Sequence, residues 1–433
     1  MRINIDILDT TKRTFWNTFY KKIDLARNID KKTDEHVKKI IDSVKKNGDK
    51  SLLKLINKYD GYKIKNIKDT RISKKAISNA KKMVSRDALM NLQKSIRRIS
   101  SFCKKQLSSS WGERKNSSYL GERVTPIDSV GIYVPGGKAS YPSTVMMNAV
   151  PAKIAGVNKI IMSCPMDDIE QHSLAIVAAE LCGVNEIYKI GGAHAIAALA
   201  YGTKNIPKVD KIVGPGNIYV TLAKKMLFGE VGIDNIAGPS EVVIIADNTA
   251  NPEWIAMDLF SQAEHDELAQ AILLTPSITL MKSVRESMEG LINTLPRKKI
   301  ILKSLKNRGM FVKTKNLDEA AHVGNIIAPE HLEIICRNNE KVFKKIKNAG
   351  AIFLGEYSPE VFGDYCAGPN HVLPTSGSAK FSSPLSVYDF QKRSSVVKIS
   401  KQTAKELSSI ASSLAEAEGL QAHAISARLR KQK

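Results

Sequence analysis

The fold is decided at residues 130–137, where the chain reads VGIYVPGG. Residues 130–134 are mostly β-branched or aromatic, which predicts a buried strand. The Pro-Gly-Gly that follows predicts a loop, because proline and glycine end regular structure. The segment therefore predicts a strand followed by a glycine-rich loop.

The same unit repeats towards the carboxyl terminus. Predicted strands at 159–163 and 186–190 alternate with predicted helices at 143–155 and 173–182, and the second of these strands runs into the loop GGAH at 191–194. Strands and helices that alternate at this spacing predict a doubly wound parallel sheet.

A second cycle begins at the apolar run EVVIIA, residues 241–246, and continues to about residue 354. We therefore predict an α/β protein with two similar doubly wound, incomplete Rossmann-like domains and a cleft between them. The first third of the chain has the periodicity of helices. Residues 374–384 read as a linker, and helix 402–430 lies in a tail that is too short to build its own core.

We predict four parts of the chain. They are an N-terminal arm at 1–28, a first α/β domain formed by 29–132 together with 241–383, a second α/β domain at 133–240, and a C-terminal helical tail at 384–433.

Three predicted strands end in glycine-rich loops, at 135–137, 191–194 and 213–217. Parallel sheets of this kind bind nucleotides at the carboxyl ends of their strands. None of the loops matches GxGxxG, so by themselves they are only a weak indication of a dinucleotide site.

The composition limits the function classes less than the charge suggests. A net charge of +23 is compatible with binding to nucleic acid, but the lysines are spread along the chain without interleaved aromatic residues or a recognised binding motif. No apolar run is long enough to span a membrane, and no signal peptide is evident. Five cysteines without a CxxC pair predict a reducing, cytoplasmic setting.

The most reactive short pattern is NIIAPEHLE at 325–333, which places Glu330 beside His331. On a turn after a strand, both side chains can face one cleft. Histidine exchanges protons near neutral pH, and a glutamate beside an apolar wall can activate water. An ordinary Glu-His at the surface is the alternative reading of this stretch alone.

A second group of residues could bind a metal. Gln262 and His265 lie one turn apart on a predicted helix, Asp364 follows Gly363, and His423 lies in the tail. Nitrogen and oxygen donors of these types can surround a divalent metal, although glutamine is an uncommon zinc ligand. The spacing alone is equally compatible with a polar helix face.

Nine motifs along the chain, taken together, resemble those of the histidinol dehydrogenase family. They are, in order, GIYVPGG, GGAHAIAALAYGT, VGPGN, DNIAGPSEV, DLFSQAEHD, NIIAPEHLEI, GDYCAGPNHVLPT, DFQKR and EGLQAHAISARLR. The resemblance implies an enzyme that oxidises L-histidinol through histidinal to L-histidine, the last steps of histidine biosynthesis, with two NAD and one bound zinc.

The resemblance also implies roles for individual residues. Glu330 would activate water, and His331 would be the general base. The implied zinc ligands are Gln262, His265, Asp364 and His423. The implied substrate contacts are these four ligands and His331, together with Ser240, His371 and Glu418. The implied cofactor contacts are Tyr133, His194 and Asn217.

Two further expectations depend on the resemblance. The family usually has glutamine where this chain has His194, a change that we expect to affect NAD affinity rather than chemistry. The family also forms homodimers, so the tail would complete the partner's site with Glu418 and His423.

Two other functions remain open at this point. A zinc hydrolase would use Glu330 and the metal but would leave the glycine-rich loops without a role. A basic nucleic-acid-binding protein would leave all of these residues without one. Aldehyde oxidation through a thiohemiacetal on Cys366 is chemically possible, but we interpret Cys366 as a small packing residue.

Overall fold

The computed structural model of the chain describes residues 3–24, 31–136 and 140–431. Its strands are β1 Asp6–Asp9, β2 Trp111–Lys115, β3 Ser118–Pro126, β4 Ser129–Tyr133, β5 Lys159–Ser163, β6 Glu186–Tyr188, β7 Lys211–Val213, β8 Gly232–Ile233, β9 Glu241–Ala246, β10 Gln270–Thr275, β11 Met310–Lys313, β12 His331–Ile335, β13 Ala351–Leu354 and β14 Gln391–Lys398.

The helices alternate with most of these strands. They are α1 Phe15–Asp24, α2 Lys31–Asn47, α3 Asp49–Tyr59, α4 Lys74–Met83, α5 Arg86–Lys104, α6 Pro142–Ala155, α7 Ser173–Leu181, α8 Gly192–Tyr201, α9 Ile218–Leu227, α10 Pro252–Ala263, α11 Ile278–Leu291, α12 Lys298–Arg308, α13 Leu317–Ile327, α14 Asn339–Phe343, α15 Glu360–Tyr365, α16 Lys401–Ala417 and α17 Gln421–Leu429. Short 3-10 helices lie at Ile67–Thr70, Ile292–Thr294, Ser378–Lys380 and Val387–Phe390.

Two parallel sheets form the framework of the molecule. One has the strand order β1-β11-β10-β9-β12-β13, and the other has the order β6-β5-β4-β7-β8. Strands β9 and β10 are buried along their whole length, which is typical of a parallel sheet covered by helices on both faces. The predicted pair of doubly wound α/β units is therefore confirmed.

The predicted domain boundaries need correction, because helices α2 to α5 pack on the five-stranded sheet rather than the six-stranded one. Val37 and Ile40 of α2 share a core with Ile196 of α8, and Leu92 and Ile99 of α5 share another with β4 and α6. Strand β1 pairs in parallel with β11, so the N-terminal segment is an edge of the six-stranded sheet. Periodicity predicts that these segments are helices or strands, but it does not predict which sheet they join.

A third, small sheet joins the tail to the body. Strand β14 pairs antiparallel with β3, which pairs antiparallel with β2. The sequence analysis predicted only the helix at 402–430 in the tail and missed β14. Among the described residues, no helix is long and apolar enough to cross a membrane.

Candidate active site

Glu330 and His331 lie where helix α13 gives way to strand β12. Ala328 caps the helix in the left-handed conformation, with a φ of 51°, and Pro329 follows it. Because proline cannot continue the helix, the chain turns and enters β12 at His331. The pair therefore precedes a strand, which corrects the expectation that it follows one.

His331 is buried between backbone and carboxylate oxygens. Its Nδ1 lies 3.1 Å from the carbonyl oxygen of Glu241, the first residue of the neighbouring strand β9. A carbonyl oxygen only accepts hydrogen bonds, so Nδ1 donates and, in the neutral ring, Nε2 is left as the base. This Nε2 lies 3.4 Å from Oδ1 of Asp364 and has no well-aligned hydrogen bond among the described residues.

Glu330 shares the backbone of Glu241 with His331. Its Oε2 accepts a hydrogen bond of 2.9 Å from the Glu241 N–H and lies 3.8 Å from Nδ1 of His331. Burial raises the pKa of Glu330 to about 8, although the neighbouring His331 charge and the Glu241 N–H oppose the rise. A carboxyl group with such a pKa can take and return a proton near neutral pH.

The charges around His331 favour its protonated form. Burial on its own lowers the pKa of His331, but the charge of Glu330, the close contact of the ring with Asp364 and the charge of Glu360 outweigh it and hold the pKa well above the ordinary value. Burial raises the pKa of Asp364, but the neighbouring His331 lowers it by more, so the pKa of Asp364 lies below its ordinary value. The ring and Asp364 therefore stabilise each other's charged forms.

A further carboxylate, Glu360, lies close to His331, and the sequence analysis missed it. Oε2 of Glu360 lies 3.7 Å from Nδ1 of His331, and its Oε1 accepts a hydrogen bond of 2.6 Å from Ser261. Burial raises the pKa of Glu360 to about 7, against the charge of His331. Glu360 precedes Asp364 by four residues on α15, and this spacing was the available signal.

Two predicted metal ligands come from the end of helix α10. Gln262 is 1% exposed, and the amide orientation that satisfies both of its ends donates to Glu360 at 3.2 Å and accepts from the Glu241 N–H at 2.8 Å. His265 lies beyond the helix, since α10 ends at Ala263, which corrects the expectation of one helical face. It is solvent-exposed, but desolvation by the surrounding protein still lowers the pKa of its ring.

The residues near Asp364 have the chemistry of a zinc site. An ionised Asp364, a neutral His265 ring and the Gln262 amide are oxygen and nitrogen donors of the kinds that zinc accepts. His371 also lies here, with Nδ1 3.0 Å from the Asp364 carbonyl oxygen. Among the described residues, however, no three His, Cys, Asp or Glu side chains converge as a metal site.

The remaining predicted site residues include two in the C-terminal tail of the single chain. His423 on α17 and Glu418, which ends α16, are both exposed. Ser240 lies just before β9, where its carbonyl oxygen accepts a hydrogen bond from Gln270. The chain thus brings together Glu330, His331, Gln262 and Asp364, but not the tail residues.

The predicted cofactor contacts lie at the other sheet, where β4, β6 and β7 end. The hydroxyl of Tyr133 accepts a hydrogen bond of 3.1 Å from the N–H of Gly192. The ring of His194 is 2% exposed, and its Nε2 lies 3.1 Å from a carboxylate oxygen of Asp60, a residue that the sequence analysis missed. Asn217 is exposed, and its side-chain oxygen caps α9.

The loop at 213–217 is held by a buried pair of charges. The N–H of Gly214 donates to Asp234 at 2.7 Å, and its carbonyl oxygen accepts from Lys224 at 2.9 Å. Gly214 has a φ of 110°, and a Cβ there would lie 2.1 Å from the carbonyl oxygen of Tyr133. Only glycine fits this position, so this loop stays in contact with the end of β4.

Several known proteins of similar sequence share one description. A family model described as histidinol dehydrogenase matches residues 25–431. The histidinol dehydrogenase of Nitrosospira multiformis is 47% identical over 429 residues, covering 99% of this chain and 98% of the relative. That of Neisseria meningitidis serogroup B is 50% identical over 399 residues, covering 92% of this chain and 93% of the relative.

A solved structure agrees with the sequence comparisons. The crystal structure of histidinol dehydrogenase from Elizabethkingia anophelis superimposes with a TM-score of 0.92 and 34% identity, covering 99% of this chain and 98% of that one. The chain therefore belongs to the histidinol dehydrogenase family, whose members are NAD-dependent dehydrogenases of histidine biosynthesis.

Proposed function

We propose that this protein oxidises L-histidinol through L-histidinal to L-histidine with two NAD, at one zinc-containing site that a partner subunit completes. The observation that carries the proposal is the convergence of two proton-transfer groups, Glu330 and His331, with Gln262 and Asp364 at one edge of the six-stranded sheet. Family membership favours this function over the zinc hydrolase and the nucleic-acid-binding protein.

His331 is the proton acceptor for the alcohol. Its Nδ1–H is engaged by the Glu241 carbonyl oxygen, so the free Nε2 is the atom that removes the hydroxyl proton as the carbinol carbon loses its hydride. The neutral ring is required for this step. Asp364 and Glu360 then stabilise the imidazolium that forms, because both carboxylates lie within 4 Å of the ring.

Glu330 acts on the aldehyde. Its carboxylate takes a proton from a water molecule, which adds to the carbonyl carbon and gives the hydrate that loses the second hydride. Burial keeps the pKa of Glu330 near 8, so this carboxyl is a stronger base than a solvated glutamate. The two half-reactions thus need different residues, although they share one site.

The zinc would be held by Gln262, His265, Asp364 and His423 of the partner subunit. When bound, zinc would supply a Lewis acid that positions the substrate, and NAD would supply the hydride acceptor for each half-reaction. Ser240, His371 and Glu418 of the partner subunit would surround the same substrate. On the other side of the cleft, Tyr133, His194 and Asn217 form the edge that receives NAD.

Exposed apolar surface supports the contribution from a partner. On helix α15, Phe362 is 53% and Tyr365 is 57% exposed on either side of Asp364. The tail helices expose a second apolar set, which consists of Leu407, Ile410, Leu414, Leu420, Ile425 and Leu429. Exposed apolar side chains of this number are typical of an interface, and a twofold dimer would bury both sets reciprocally.

The proposed function is tested by measuring NADH and histidine formed per histidinol consumed. We expect two NADH and one histidine, loss of activity in a strong chelator and its return with zinc. One NADH per histidinol, or full activity in protein shown to contain no metal, would contradict the proposal. Zinc-dependent hydrolysis of another substrate, with no NADH formed from histidinol, would favour the zinc hydrolase.

A further inference from the structure

Asp60 contacts both ends of the glycine-rich loop at 191–194. It follows the last residue of α3, and its side chain is 4% exposed. Its Oδ2 accepts a hydrogen bond of 3.2 Å from the N–H of Gly191 and lies 3.1 Å from Nε2 of His194. One oxygen of Asp60 therefore holds both ends of this loop.

The second N–H of the loop is also occupied by a side chain. Gly192 donates to the hydroxyl of Tyr133, at the end of β4. Gly192 has a φ of 62°, so the chain turns sharply between the two bonded N–H groups. The hydrogen bonds to Tyr133 and to Asp60 together fix the path of the loop.

The orientation of His194 gives it a role in this arrangement. Its ring is turned into the protein, packs 6.2 Å from the Tyr59 ring and meets Asp60. A glutamine at this position can offer the same N–H to Asp60 through its amide. The difference between His194 and the glutamine expected from the resemblance is therefore conservative for the contact with Asp60.

The neighbouring loop is built in the same way. Asp234 and Lys224 form a buried ion pair that holds the N–H and the carbonyl oxygen of Gly214. Each of the two loops thus has its own buried carboxylate bonded to a glycine N–H. Such interior charges are costly unless they are paired, and backbone groups of the loops supply part of that pairing here.

We propose that Asp60 is a positioning residue for NAD, which acts through Gly191 and His194 without touching the cofactor. This inference rests on the proposed function. The anionic pyrophosphate of NAD would be repelled by a carboxylate in direct contact, and the side chain of Asp60 is only 4% exposed. A loop that Asp60 and Tyr133 already hold in one conformation can receive the cofactor without the cost of ordering it.

The test compares Asp60→Ala and His194→Leu with wild type in NAD KM, in kcat at saturating NAD, and in NADH binding measured by calorimetry without histidinol. A lost charge-assisted hydrogen bond typically weakens binding by about tenfold or more. We expect that rise in NAD KM and NADH Kd, with kcat within about twofold. The double variant should be no worse than the worse single variant, because the two residues form one contact.

Two further variants separate positioning from general stability. His194→Gln keeps an N–H for Asp60 and should restore NAD affinity to within about threefold of wild type. Asp210→Ala is the matched control. Asp210 also accepts a backbone and a side-chain hydrogen bond, both from Ser129, but it lies where the strands of the same sheet begin. It should leave NAD KM unchanged.

Unchanged NAD KM and NADH Kd in folded Asp60→Ala and His194→Leu would overturn the inference. An equal rise in Asp210→Ala would overturn it too, because the effect would then be one of stability. The calorimetric arm needs no histidinol. If wild type bound NADH but failed to oxidise histidinol, the proposed function would fail while the role of Asp60 would still be decided.

Discussion

The reactive chemistry of this protein depends on a short segment that ends a helix and begins a strand. Pro329 ends the chain's helical path, and the next two residues place a carboxyl and an imidazole on one backbone unit, that of Glu241. Oε2 of Glu330 lies 3.8 Å from Nδ1 of His331, so each group changes the proton affinity of the other. Two adjacent residues can therefore serve two different proton transfers.

The division of roles predicts different losses in two variants. Glu330→Gln should keep most of the oxidation of histidinol to the aldehyde but lose about 10²-fold or more in oxidation of added histidinal, because only the second half-reaction needs water activation. His331→Gln should lose activity in both half-reactions. Single-turnover NADH formation from each substrate measures the two steps separately.

Cys366→Ser is the matched control for this pair. Its thiol lies close in sequence to Asp364, but its backbone N–H caps α15 by donating to Phe362, and its carbonyl oxygen accepts from Arg98. Serine retains these backbone bonds, so activity should persist. Equal losses for Glu330→Gln and His331→Gln in both steps would refute the division of roles, and loss in Cys366→Ser would indicate a thiohemiacetal.

At the scale of the element, helix α10 carries a buried acid, Asp258, as well as the proposed metal ligand Gln262. Asp258 precedes Gln262 by one turn and shares a hydrogen bond with Glu333 of β12. Burial raises the pKa of Asp258 to about 6, although the bond to Glu333 lowers it, and burial together with the charges of Asp258 and Glu360 raises the pKa of Glu333 well above normal. We therefore expect the two carboxyls to share a proton in the folded protein.

This pair predicts how the stability of the metal-free protein depends on pH. A carboxyl whose pKa is raised by folding stabilises the protein below its unfolded pKa of about 3.8, and that contribution is lost as the pH rises through about 6. Asp258→Asn removes this titration and still offers Glu333 a hydrogen-bond donor, the amide N–H. The free energy of unfolding of Asp258→Asn should fall less than that of wild type between pH 4 and 7, by at most about 3 kcal/mol.

The control is Glu253→Gln, which neutralises an exposed acid in the first turn of the same helix. Its unfolding profile should follow the wild type. Denaturant unfolding at several pH values measures all three proteins. Parallel wild-type and Asp258→Asn profiles across this range would show that the pair does not share a proton.

Much of the architecture of the whole molecule could be predicted from sequence, because its buried strands and covering helices have distinct periodicities. The assignment of helices α2 to α5 to the five-stranded sheet could not, since an apolar stripe does not specify its partner. Strand β14 is mostly exposed and therefore lacks the alternating pattern of a half-buried strand.

The site residues that could be predicted are those whose reactive side chains stand out from the sequence around them. Glu330 and His331 do so in an apolar segment. Asp60 and Glu360 do not, because their burial depends on elements distant in the chain. Glu241 opens a fully buried strand, and a charge at that position was a usable signal.

The assembly is the largest-scale part of the account. The tail joins the body through β14 and through hydrogen bonds of Ser118 to Ser400 and Thr403, and its helices carry Glu418 and His423 on exposed surface. A site in a homodimer would then combine His265 of one chain with His423 of the partner subunit. The central claim is that one site, assembled from two chains, carries both oxidations.

Mixing subunits tests this claim most directly. His265→Ala and His423→Ala should each be inactive alone. After subunit exchange, about half of the dimers are hybrids in which one site carries both defects and the other carries neither. The mixture should therefore recover about a quarter of wild-type activity, with two NADH per histidinol. Activity that stayed at the single-variant level after demonstrated exchange would contradict the shared site.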